Sequence, residues 1–171
     1  MSCSLTELKT KRSKIYISHL FLLTDTARGD CPEEFYKIDN QCFYISKDKV
    51  SWIEARKHCE MKQSALLALE SEAKAIRLSN LVETISQRHF NEFWTSGNDI
   101  DVEGSWRWAG QEEGERSQVP SFGWSEESFR SIEENCLVWV VEVVGRGRVS
   151  DGWHPASCCN MHQFICSSQT L

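Results

Sequence analysis

The sequence predicts a single disulfide-stapled domain in which a hairpin and two helices precede the remaining strands. Three observations carry this expectation. Cys59 and Cys166 enclose Cys136 and Cys158, while Cys31 and Cys42 precede all four, so the cysteines read as one bridge nested inside another with a third pair ahead of them. Two stretches, opening at Ser51 and Ser71, show helical spacing of apolar side chains. Beyond them come short aromatic and apolar runs of strand length.

Residues 1–29 differ in character from the rest. Lys9, Lys11, Arg12 and Lys14 precede the apolar run Ile15 to Leu23, and Ala27-Arg28-Gly29 offers small residues of the kind a signal peptidase accepts. The expectation is a secretory leader cleaved after Gly29, leaving a domain over residues 30–171.

From Phe35 to Tyr44 aromatics flank Asp39-Asn40, as in a hairpin with an Asx-type turn that Cys31 and Cys42 would close. Ser51-Trp52-Ile53-Glu54 fits a capping box at a helix start, and Trp52, Ala55 and Cys59 then fall on the inward face. After the apolar stretch Ala65 to Leu69, Leu78, Leu81, Val82 and Ile85 recur at i, i+3, i+4 and i+7, which predicts a second helix. Gly104 to Trp108 reads as a short strand, and the nearly continuous apolar run Leu137 to Val144 as a central one. Between these two strands, Ala109 to Asn135 is polar and aperiodic, the mark of a long functional loop.

Composition narrows the function classes. A chain of 171 residues buries a core of ordinary size, so its eight cysteines reinforce a core rather than replace one, and they place the domain in an oxidising compartment. A net charge of −6 without a Lys/Arg cluster in the folded part argues against nucleic acid. No apolar stretch reaches transmembrane length. Nucleophile elbow, phosphate loop and His-Glu metalloprotease signatures are all missing, so no enzyme is expected.

Phe93-Trp94-Thr95-Ser96-Gly97-Asn98-Asp99, Val102 to Trp108, Glu134-Asn135-Cys136, Trp153 with Cys158, and Phe164-Ile165-Cys166 together resemble a C-type lectin-like domain, and the pair Cys31/Cys42 resembles its long form. The resemblance implies a double-looped α+β fold, two helices flanking small antiparallel sheets, with a long loop carrying the ligand contacts. It also implies the bridges Cys59–Cys166 and Cys136–Cys158, and on the chain-entropy model each such closure stabilises by roughly 3 to 5 kcal/mol. Cys159 is then spare, which leaves open a disulfide-linked homodimer through Cys159 or an intramolecular pairing with Cys3.

In sugar-binding members a calcium ion is held by a Glu-Pro-Asn or Gln-Pro-Asp triplet, a Glu before the inner cysteine and the Asn-Asp of a Trp-Asn-Asp triplet. Here the first triplet position falls on Ser128-Phe129-Arg130 and the last reads Trp153-His154-Pro155, so Glu134 alone survives. A hard cation wants six to eight oxygens, which one carboxylate does not supply. A separate structural calcium site of the family would fall on Asp99, Glu103, Glu134 and Asn135; the competing reading is a polar turn at Asn98-Asp99 beside an exposed Glu103.

The ligand contacts are expected from Trp124, Glu126, Glu127 and Glu134, with Trp124 the exposed tryptophan and Trp106, Trp108 and Trp153 in the core. His154, Cys158, Cys159 and His162 match no common zinc spacing. The expected function is extracellular recognition of a glycan or a protein, with the alternative of a purely protein-binding module.

Overall fold

The computed structural model describes residues 31–86, 90–109, 117–124, 133–143 and 149–170. The hairpin forms from β1 (Tyr36–Ile38) and β2 (Gln41–Ile45), paired antiparallel and bridged by Cys31–Cys42. Asp39 turns the chain at φ 53°, a left-handed value that Asp tolerates because its short side chain bonds locally.

Helix α1 (Trp52–Met61) starts at the capping box: the Glu54 carboxylate accepts the hydroxyl of Ser51 at 2.7 Å and its backbone N–H at 3.1 Å. Those two bonds, the hydroxyl first, hold the Glu54 carboxyl below its ordinary range. Trp52, Ala55 and Cys59 are buried, as helical spacing requires. After β3 (Ala65–Leu66), α2 (Glu72–Ile85) begins at Ser71, whose side chain accepts from the Lys74 N–H. Leu78 and Val82 enter the core, Leu81 lies at its edge, and Ile85 is exposed at the last turn.

The remaining strands are β4 (Phe90–Asn98), β5 (Arg107–Trp108), β6 (Cys136–Val143), β7 (Val149–Ala156) and β8 (Gln163–Gln169). Their order across the sheet is β1-β2-β8-β4-β6-β7, with β3 on β8 and β5 on β4. All pairings are antiparallel except β4 with β8, so the sheet is mixed where small antiparallel sheets are expected. The strand expected over Gly104 to Trp108 shrinks to two residues because the chain before it is spent on turns, with the Val102 N–H on the Asp99 carbonyl and the Ser105 N–H on the Val102 carbonyl.

The apolar character of β6 has a direct cause. Successive strand side chains point to opposite faces, and here both faces are covered. Leu137, Trp139 and Val141 join the cluster with Leu78 and Val82 of α2, while Val138 and Val140 join the cluster with Trp52 and Ala55 of α1. The two sets of β6 side chains therefore belong to two core clusters, one shared with α2 and one with α1.

Cys59–Cys166 ties α1 to β8, and Cys136–Cys158 ties the start of β6 to the turn after β7. One expectation is corrected. Cys159 is itself disulfide-bonded and no described cysteine is free, so its sulfur is not a spare thiol for a second chain.

Candidate ligand-binding site

The segment before Trp124 is anchored to two strands. The Trp108 N–H donates to the Ser117 carbonyl at 2.8 Å and the Val119 N–H to the Trp106 carbonyl at 3.1 Å, which fixes the segment along β5. Trp153 of β7 then grips its far end, donating its backbone N–H to Gly123 at 2.8 Å and its indole N–H to the Phe122 carbonyl at 2.6 Å. Gly123 sits at φ 78°, and a Cβ there would come within 3.1 Å of the Trp153 ring, so the position is confined to glycine twice over. Trp124 is consequently half-buried against Trp106, ring centroids 5.6 Å apart, with its indole N–H on the Pro120 carbonyl. The expectation of an exposed Trp124 is corrected by this packing. Trp106, Trp108 and Trp153 are buried as expected.

Trp124 forms the rim of a groove of about 650 Å³ that runs over β4, β6 and β7. Its floor is apolar, from Val138, Val140 and Ala156, and its walls carry the carboxylates of Glu92, Glu134 and Glu142 and the imidazoles of His154 and His162. His162 is the best-held of these. Its Nδ1 lies 3.2 Å from Glu92 Oε2, and its ring meets Trp94 edge-on with centroids 4.7 Å apart. Burial pushes the imidazole below its ordinary pKa, opposed by the adjacent Glu92 carboxylate. Its Nε2 is buried without a hydrogen-bond partner. Nothing local in the sequence joins Glu92 to His162; their contact exists only because β4 and β8 run side by side.

Of the expected ligand contacts, Trp124 and Glu134 both line this groove, together with His154 and Pro155, while Glu126 and Glu127 lie outside the described residues. So do Ser128, Phe129 and Arg130.

The expected calcium ligands divide. Asp99, Glu103 and Asn135 come together at the turn after β4, whereas Glu134 lines the groove. Asp99 is buried, and each of its carboxylate oxygens accepts one hydrogen bond: Oδ2 from the Gly104 N–H at 2.8 Å and Oδ1 from the Asn135 amide at 3.3 Å. The same amide donates to Glu103 Oε2 at 3.4 Å. A nitrogen donor thus occupies the space between two carboxylates where a cation would need oxygens, and among the described residues no group of three or more His, Cys, Asp or Glu is arranged to hold a metal ion. As arranged, the three side chains form a hydrogen-bonded turn.

This fold finds its counterpart in known proteins. The family model described as "Lectin C-type domain" matches residues 48–168, and the chain belongs to that family. A human protein, C-type lectin domain family 17, member A, is 28% identical over 150 residues, 86% of this chain and 34% of its own length. Snaclec bothrojaracin subunit beta of Bothrops jararaca is 23% identical over 88% of this chain and 91% of its own. The chain therefore spans about a third of the human relative and nearly all of the snake protein. Among solved structures, human lithostathine superposes with a TM-score of 0.66 at 20% identity, covering 85% of this chain and 96% of that one.

Proposed function

We propose that this domain is an extracellular recognition protein that takes its ligand in the groove between Trp124 and His162 without a bridging calcium, and that the ligand is a protein surface. The single observation behind this reading is the groove's chemistry. At the described positions where a sugar-bridging cation would need oxygens, the groove presents His154, Pro155 and the carboxylate of Glu134, beside an apolar floor. Three carboxylates around that floor suit a partner segment that brings Lys or Arg together with an apolar side chain. Trp124 favours a protein over a stacked sugar, because its ring packs on Trp106 and its N–H is already engaged. The three described disulfides support an oxidising, extracellular setting. None of the described helices is long and apolar enough to cross a membrane.

The test is to probe the full chain against a glycan array and a panel of extracellular ectodomains, each with calcium and with chelator. The expected result is ectodomain binding that survives chelator and weakens in Glu134→Gln. Sugar binding abolished by chelator would overturn the reading. In the same preparation, added calcium is expected to leave the melting temperature unchanged, since the Asp99 carboxylate is satisfied by N–H donors.

A further inference from the structure

A second cavity, of about 370 Å³, opens at the C-terminal end of α1 and shares no lining residue with the groove. Four features make it more than a surface dent. Ser96 of β4 lines it, is 2% exposed, and carries a buried Oγ with no hydrogen-bond partner, although its backbone N–H is bonded to Leu67 and its carbonyl accepts from Ala109. An unsatisfied buried hydroxyl is costly unless something else completes it.

Arg56 supplies a cation at the same cavity, its guanidinium lying over the Trp52 ring at 5.2 Å. Its partner Glu60 is 3.7 Å away and largely exposed, the kind of ion pair that contributes little and yields to a better acceptor. Gln63 also lines the cavity and sits at φ 53°, just past the helix end, where glycine is the unstrained choice. Strain kept at a cavity-lining residue, where glycine would remove both the strain and the carboxamide, points to use of that carboxamide. Ser64 adds a hydroxyl that donates to the Cys59 carbonyl at 2.9 Å and keeps its lone pairs to accept.

We propose that this cavity is a second binding site, for a small hydroxylated carboxylate of the size of an acidic monosaccharide. The planar guanidinium of Arg56 takes the carboxylate in a two-pronged contact. Ser96, Ser64 and Gln63 take the hydroxyls, and Ala65 and Leu66 supply the apolar wall against the ring. The volume falls at the small end of the range for ligand pockets, which excludes long oligomers from full enclosure.

The experiment is a titration of the full chain with glucuronate and with N-acetylneuraminate, followed by calorimetry and by amide chemical shifts, with glucose as the uncharged control. Saturable binding of at least one acid in the millimolar range or tighter is expected, with glucose inert. Arg56→Gln and Ser96→Ala are each expected to weaken it about tenfold or more, the order of losing a hydrogen bond to a charged or buried partner. Gln63→Gly separates binding from folding, since relieving the left-handed strain raises the melting temperature while loss of the carboxamide weakens binding. No saturable binding of either acid, equal binding of glucose, or unchanged affinity in both Arg56→Gln and Ser96→Ala would overturn the proposal.

Discussion

His162 shows how a single side chain carries the pH behaviour of this domain. Its imidazole is favoured in the neutral form by burial against Trp94, with Glu92 pulling the other way and Lys49 adding a small push in the same direction as burial. In the unfolded chain it titrates in the ordinary imidazole range, so as pH falls from that range through the lowered folded pKa the unfolded state binds more protons than the folded one and stability is lost. Thermal melts between about pH 8 and pH 5 are expected to show this loss, and His162→Gln is expected to reduce it. A loss of equal size in the variant would place the sensitivity elsewhere. The site was only partly legible at this scale. The resemblance grouped Asp99, Glu103, Glu134 and Asn135; the side chains of Asp99, Glu103 and Asn135 meet at the turn after β4, while Glu134 lines the groove. It could not show that the Asn135 amide would bond both carboxylates, since that depends on a side-chain orientation chosen in three dimensions. The Glu92–His162 contact and the unsatisfied Ser96 hydroxyl were invisible for the same reason.

The elements were legible wherever a local period or cap existed. The hairpin, both helix starts and the central strand β6 follow from turn residues, capping and burial on both faces. Strands β4, β7 and β8 were not separately read from the pattern, because β7 carries Gly152 and Pro155 within it and β8 ends in the polar residues Ser167, Ser168 and Gln169. Within β4, Gly97 is the position that allows the sheet to close on the core. A Cβ there would lie 2.7 and 2.9 Å from Leu137 side-chain atoms and 3.0 Å from the Trp108 ring. Gly97→Ala is therefore expected to destabilise by about 1–3 kcal/mol through overpacking, read from urea unfolding midpoints. An unchanged midpoint would mean that Leu137 moves aside at no cost.

At the scale of the whole molecule, the long bridge Cys59–Cys166 joins α1 to the last strand, so it constrains nearly all of the described fold. Replacing both cysteines by alanine is expected to cost roughly 3 to 5 kcal/mol, measured by denaturant unfolding without reductant. The two core clusters that share the side chains of β6 account for the burial of so large a share of the tryptophans. The pairing of β2 with β8 carries one more implication. Cys42 faces Ser168 across that pair, and the Cα of its bridge partner Cys31 lies 5.4 Å away, so the first described residue and the last strand lie side by side. Entry and exit at one point make the domain a plug-in unit: it can be spliced into a host sequence at a single loop without pulling the two ends apart.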